Sequence, residues 1–309
     1  NIMPFGLHTY MDASRRESLL SILRDVSPNT DNYFVSNLGK GPAAQNTLHE
    51  WTTYNTARPT SVTTAIEGAA ASYDDLSQPT RTYNVTSIVN EAVRVSGTEK
   101  AVSTATGEDP YAFQKTEALK RLKAKMEWLI INGTQATGAS GVARQMRGFD
   151  GMISTNVTAR TTGQSFTETE LNDILQSVWN TVGSDYLSDL IVCPMVISRR
   201  ISGFTANLTR NIEAKEKRLT NQIRVYDSQV GNTVMIIPHK DVRASAGTTT
   251  VYALREDTWK MAFLTGREPK WDEYAKDGDR DNGQYITEFT VVGYAQRANA
   301  KYTGYALEL

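Results

Sequence analysis

Apolar positions recur along this chain in distinct rhythms, and each rhythm predicts a different element. Between Ser14 and Val26, Leu19, Leu20, Ile22, Leu23 and Val26 follow spacings of three and four, and Ser14 with Glu17 forms a capping box. An amphipathic helix is predicted there, ended at Ser27-Pro28 because a residue before proline avoids helical angles. It is too short to stand alone in water and must dock on another surface. Leu48 to Tyr54 and Thr82 to Val89, rich in threonine, aromatic and β-branched residues, read as strands. Between them, Asn55 to Thr80 offers only Val62, Ile66, Tyr73 and Leu76 as sizeable apolar groups. An arm of that composition cannot bury itself, and an isolated hairpin is marginal in water, so order in it calls for cover from another copy of the chain.

The strongest helical pattern runs from Glu108 to Asn132. Pro110 sits early, where a missing N–H costs nothing, Leu119, Leu122, Met126 and Leu129 step by three, four and three, and Gly133 closes it. At about 1.5 Å per residue it exceeds ~30 Å, enough for a backbone of a flat subunit. After a small-residue linker from Gly133 to Gly141, helix and strand patterns alternate. Thr167 with Glu170 caps a helix over Glu168 to Val182, and Met195 to Phe204 is a second helix. Leu190 to Cys193, Gln222 to Tyr226, Thr233 to Ile237 and Thr249 to Leu254 read as strands, and the tail adds Tyr285 to Ala295 and Ala298 to Leu307. The fold class is α+β.

Composition narrows the function. Lys and Arg total 33 against 34 Asp and Glu, a formal charge of −1, which disfavours a protein that grips nucleic acid by charge. A single cysteine, Cys193, excludes an intramolecular disulfide framework and fits a buried thiol in an apolar strand. Three histidines leave few ligands for a histidine-built metal centre. No apolar run approaches the roughly 20 residues of a membrane span, so no membrane partner is expected.

Catalytic motifs are missing: no phosphate-binding loop, dinucleotide fingerprint, nucleophile elbow or His-Glu-x-x-His occurs. Gly39-Lys40-Gly41 is too short to cradle a phosphate and reads as a loop. Asp277, Asp279, Asp281 and Glu288 occupy positions one, three, five and twelve of a calcium-loop pattern, but position six is Asn282 with Gly283 one place late. A solvated charged turn over 277–283 is the competing reading, and no cofactor or catalytic residue is assigned. A metal-dependent hydrolase built on those acids is the enzymatic rival. Lys120, Arg121, Lys123 and Lys125 lie on the polar face of the long helix, where weak contact with a nucleic-acid backbone competes with ion pairing between subunits.

The order of parts resembles the major capsid protein of tailed bacteriophages with the Hong Kong 97 type fold. Val26-Ser27-Pro28, Asn37-Leu38-Gly39-Lys40-Gly41, Thr47-Leu48-His49-Glu50-Trp51, Glu67-Gly68, Arg94-Val95-Ser96-Gly97-Thr98 and Asp257-Thr258-Trp259-Lys260-Met261-Ala262-Phe263-Leu264 are similar to recurring patches of one subfamily of head proteins. The resemblance implies an N-arm (1–46), an extended E-loop hairpin with flanking strands (47–95), a P-domain with spine helix (96–146), an A-domain (147–264) and returning P-domain strands (265–309). It also implies a shell of hexamers and pentamers around double-stranded DNA, a portal protein, a separate scaffolding protein or a segment removed upstream of Asn1, and a possible cement or decoration protein. Overlap between neighbours would engage Arg15, Arg16, Trp51, Tyr54, Arg58, Glu67, Tyr73, Asp74, Asp75 and Arg81. No lysine lies between Glu50 and Thr80, so the covalent lysine–asparagine link of some relatives is not expected. An encapsulin-like compartment enclosing protein cargo shares this fold and is the alternative.

Overall fold

The computed structural model describes residues 32–55, 58–59, 61–71, 78–102, 109–204, 224–242, 244–245, 247–276 and 278–307. The helix expected over Ser14 to Val26 lies outside them.

The long helix is α3, Pro110–Asn132. The Asp109 carboxylate caps it, accepting from the Tyr111 N–H at 3.0 Å, and Pro110 follows at the first helical position. Its buried stripe is Ala118, Leu122, Met126 and Ile130, joined by Ile131. Leu119 and Leu129 share that stripe, as expected, but are only half-buried. Gly133 ends the helix as its sequence predicted, and for a steric reason: a Cβ there would meet the Leu129 carbonyl oxygen at 2.6 Å and that of Met146 at 2.7 Å. Directly after this turn, the short helix α4 (Phe149–Met152) packs Phe149 edge-on against Trp259, ring centroids 4.7 Å apart.

Helix α3 lies on a five-stranded sheet built around β13, Arg280–Gly293. On one side β13 pairs antiparallel with β4, Ser87–Ser96, from Phe289 opposite Ser87 to Arg280 opposite Ser96. On its other side come β11 (Trp259–Phe263) and β12 (Lys270–Tyr274), and β1 (Gly39–Lys40) pairs in parallel with β11. Gly39-Lys40 is therefore a bridging strand and not the expected free loop. Helix α2, Gly97–Ala101, follows β4, and the Ser96 hydroxyl accepts from the Glu99 N–H at 3.2 Å.

The second sheet runs β5 (Asn156–Gln164), β14 (Ala300–Ala306), β10 (Thr248–Leu254), β6 (Leu190–Cys193), β8 (Thr233–Pro238) and β7 (Val225–Asp227), with β9 (Ala244–Ser245) beside β10. Helices α5 (Glu168–Val182) and α6 (Met195–Phe204) pack on one face. Both follow the sequence reading, including Thr167, whose hydroxyl accepts from the Glu170 N–H at 3.4 Å. Strand alternation divides the interior. Leu190 and Val192 face the core shared with α3, whereas Ile191 and Cys193 face the core under α5 and α6; Tyr252 and Leu254 are set against Val251 and Ala253 in the same way. Burial pushes the Cys193 thiol up to about 12, so it packs as a small apolar group.

The two sheets do not part at residue 264. Strand β11, within 147–264, belongs to the sheet under α3, and β14, near the end of the chain, belongs to the other. Period-two patterning marks a strand without saying which sheet receives it. Asn299 holds the crossing: its Oδ1 accepts from the Arg255 N–H at 2.8 Å and the Trp259 Nε1–H at 2.9 Å, and its Nδ2 donates to the Ala295 carbonyl.

One further junction joins the beginning of the described chain to both sheets. Helix α1, Tyr33–Asn37, receives no side-chain cap from Asn32. The fully buried Glu127 carboxylate of α3 caps it instead, accepting from the Phe34 and Val35 N–H groups at 2.8 Å each. His239, just after β8, completes the group with Nε2 at 2.9 Å from Glu127. The Asp241 N–H donates to His239 Nδ1 at 3.1 Å, so Nε2 carries the proton and donates to the carboxylate. Glu127→Gln turns an amide group toward donors that need an acceptor. It is expected to cost about 2–4 kcal/mol in urea unfolding of the unassembled subunit and to speed exchange of the Phe34 and Val35 amides. A cost under about 0.5 kcal/mol would remove Glu127 from this role.

Candidate assembly surfaces

The arm begins as a two-stranded ribbon. Strand β2, Leu48–Thr53, pairs antiparallel with β3, Thr80–Val85, and among the described residues no third strand joins them. Threonine, a good strand former, lines its outer end: the Thr53 and Thr80 hydroxyls lie 3.1 Å apart. Beyond Thr53 the described part of the arm up to Ala71 forms no helix or strand and is exposed, with Val62 83% and Ile66 82% accessible. Its one turn is at Glu67-Gly68, where Gly68 takes a φ of +80° and the Ala69 N–H donates to the Ile66 carbonyl at 3.0 Å. Glycine suits that left-handed position.

The base of the ribbon is bolted down. Asn84, fully buried, spends its whole side-chain capacity: Nδ2 donates to the carbonyls of Arg147 and Val291 at 2.9 Å each, and Oδ1 accepts from the N–H groups of Val85 and Arg147. Next to it the Thr86 hydroxyl donates to Glu288 at 2.7 Å, and Arg144 and Arg267 lie at 2.8 and 3.5 Å from the same carboxylate. A fixed root and an uncovered shaft are what a contact-making arm requires.

The expected contact residues fall into three groups. Tyr54, Arg58 and Glu67 are exposed and carry no partner among the described residues. Arg81 pairs with Glu50 of its own ribbon at 3.3 Å, and Trp51 is only 9% exposed in the chain's own core, its indole N–H without an acceptor. Trp51 is thus a root residue and not an outward contact, because the ribbon's inner face rests on the subunit. Arg15, Arg16, Tyr73, Asp74 and Asp75 lie outside the described residues.

The basic face of α3 is largely matched within the chain. Lys120 pairs with Glu117 at 2.7 Å, while Arg121 and Lys125 share Glu91 of β4. Lys123 alone of the four is exposed without a described partner. The cross-sheet carboxylate Glu91 gave no helical-spacing signal, so sequence reasoning did not see this neutralisation.

The calcium-loop reading fails on geometry. Asp277 is outside the described residues, but Asp281 and Glu288 both lie on β13, seven residues and about 23 Å apart along an extended strand. Glu288 is buried under its two arginines, and Asp281 is held by Lys100 at 2.6 Å and Lys276 at 2.8 Å. Asp279 packs against Gly97, where its carboxylate leaves no room for a Cβ. Asp281 and Glu288 are strand residues with cationic partners and cannot converge on one ion.

One surface that the sequence reading missed lies beside β4. Ile88 (49% exposed), Trp128 (45%), Asn90, Lys125 and Leu129 line a cavity of about 310 Å³, and on the far side of Ile88 a second opens toward Val142. The available signal was a tryptophan on the helix face opposite the buried stripe.

A rooted β-arm, a long helix on a mixed sheet and a second helix-covered sheet define the shell-subunit fold of the Hong Kong 97 type. The cyanophage A-1(L) capsid structure is similar at 11% identity with a TM-score of 0.73, covering 97% of this chain and 99% of that one. The capsid of Myoviridae phage XM1 gives 12% identity and 0.59, covering 93% and 96%, and the SrpI encapsulin of Synechococcus elongatus PCC 7942 gives 13% and 0.60, covering 96% and 94%. No curated protein sequence matches the chain. Residues 6–306 match the SU10 major capsid protein family, and the chain belongs to that family. It is a major capsid protein of tailed-phage type, a structural subunit of a virion shell.

The Asp281 environment gives a pH prediction. Hydrogen bonds from Lys100 and Lys276 hold its carboxyl down at about 2. A depressed carboxyl stabilises the fold above its unfolded value near 3.9, and that contribution is lost as pH falls toward about 2. Carboxyl NMR should place the midpoint near pH 2 and, in Lys100→Gln/Lys276→Gln, near about 4; an unmoved midpoint would discard the pairing.

Proposed function

We propose that this capsid protein closes into an icosahedral head of hexamers and pentamers around double-stranded DNA, with neighbouring subunits overlapping through the N-arm and the E-loop. The observation that carries it is the arm: rooted by Asn84 and Glu288, yet exposing Val62 and Ile66 almost completely. Side chains so uncovered gain by burial on a neighbour, about 25 cal/mol per Å² of apolar surface, and symmetry multiplies a modest gain over every subunit. With no lysine between Glu50 and Thr80, overlap is noncovalent, and a cement or decoration protein is the available reinforcement.

Packaged DNA meets this chain weakly and without sequence preference, because three of the four basic helix residues already face carboxylates. A portal protein at one vertex, a separate scaffolding protein and assembly in the host cytoplasm belong to the same reading. Membership of a phage capsid family favours DNA as the content over the protein cargo of an encapsulin.

Thr53 and Thr80 are directly paired, so residues 54–79 can be replaced by an Asn-Gly turn without disturbing the ribbon. The shortened chain should fold with an unfolding midpoint close to wild type and form no shells by negative-stain microscopy. Normal particles from it would count against the arm as an assembly element. Wild-type particles from infected cells should protect DNA from nuclease, and protein cargo in its place would transfer the assignment to the compartment.

A further inference from the structure

Helix α5 buries one stripe, Leu171, Ile174, Leu175 and Val178, and presents another to its surroundings. Asn172, Gln176 and Trp179 follow spacings of four and three, so they share that second face. Opposite them stands the turn between β7 and β8, whose Gln229 and Val230 close a groove of about 380 Å³. The turn is held from within. The Ser228 N–H donates to the Asn232 carbonyl at 2.9 Å, the Gly231 N–H donates to the Ser228 carbonyl at 3.1 Å, and Asn232 Nδ2 donates to the Ser188 carbonyl. Both walls are therefore set before any ligand arrives.

The lining is chemically narrow. Its polar side chains are three primary amides, and no ionisable side chain among the described residues lines it. Asn172 Oδ1 accepts from the Tyr226 hydroxyl at 3.0 Å, which orients the amide and leaves Nδ2 to donate to a ligand. The amides of Gln176 and Gln229 have no partner among the described residues. Trp179 is 48% exposed. Tyr186 and Trp271 carry cations over their rings, Arg255 at 5.3 Å and Lys115 at 4.7 Å, whereas none of the described cations stands over Trp179. An anion finds no counter-charge in this groove and a cation no carboxylate. An apolar partner would bury three amides without satisfying them. A pyranose ring answers every group: neighbouring hydroxyls donate and accept together, as a planar amide does, and the ring's C–H face suits the negative face of an indole.

We infer that the groove between α5 and the β7–β8 turn binds an uncharged hexose unit of a glycan, with Trp179 as the stacking platform and Asn172, Gln176 and Gln229 reading its hydroxyls. Nothing in the shell reading requires such a site. It gives a carbohydrate contact to a protein otherwise engaged with its own copies, and a shell repeats that contact once per subunit, so weak single-site binding is multiplied on a glycan-coated surface.

Saturation-transfer NMR on wild-type particles tests it, with the methyl glycosides of glucose, galactose and N-acetylglucosamine as probes. At least one should take up saturation through its ring C–H groups, with a Kd of about 1 mM. Trp179→Ala should weaken that binding at least about tenfold, since it removes the stacking face. Gln176→Ala/Gln229→Ala should do the same by removing hydroxyl partners, and it decides the matter if Trp179→Ala does not fold. Absence of a signal from all three probes overturns the proposal, as does a signal that both variants leave unchanged. Binding by unassembled subunits that disappears in particles, or a folded Trp179→Ala that no longer forms shells, would make this face a contact between copies and overturns it too. Failure of the wild-type chain to form shells would instead count against the shell reading, and the unassembled subunit would then be the sample for the same probes.

Discussion

A buried carboxylate is the point on which this subunit's architecture turns. Glu127 projects from the C-terminal part of the spine helix into a region without solvent and is stabilised by two amide N–H groups of α1 and the imidazole of His239. Desolvating a carboxylate costs several kcal/mol, so the site is viable only when all three donors arrive together. One donor set comes from the start of the described chain and the other from the end of β8. The carboxylate thereby makes the docking of α1, the placement of α3 and the position of the second sheet mutually conditional. A well-packed apolar group could hold these elements together, but it would not demand that both be present.

Similar economy governs the base of the arm. Asn84 and Glu288 collect donors and acceptors from segments far apart in sequence, so the ribbon leaves the body at a defined place and angle while its outer part is left uncovered. Orientation is settled inside the subunit and area is left for the neighbour. That division suits a protein whose work is contact: a subunit that satisfied itself completely would have nothing to assemble with, and one with a loose root would assemble in many ways.

Much of this was legible in the sequence where local patterning and global need agree. Helix α5 with its Thr167 cap, strand β6 and helix α6 coincide with their predicted limits because periodicity, capping and burial all point the same way. The arm was legible for the opposite reason, a shortage of apolar residues. Other elements depend on distant partners. Helix α1 has no cap in its own sequence and takes one from Glu127, ninety-odd residues on. The first residues of β13, Arg280 to Gln284, read as a charged turn, yet β4 and β12 pair with them from both sides and override local propensity. Strand β5, Asn-Val-Thr-Ala-Arg-Thr-Thr-Gly-Gln, has too few large apolar residues to announce itself. At the candidate surfaces, composition marked the arm but could not separate Trp51 at its root from Tyr54 at its exit. The groove beside Trp179 was invisible because its second wall is a turn far along the chain.

The single thiol has a practical bearing. Cys193 is sealed in the core under α5 and α6 and resists ionisation, so reagents that seek thiolates find nothing on the native subunit. A cysteine introduced at any outward position becomes a unique chemical address without first deleting the natural one. On a closed particle that address is repeated with the symmetry of the lattice, which turns the shell into a scaffold of regularly spaced attachment points.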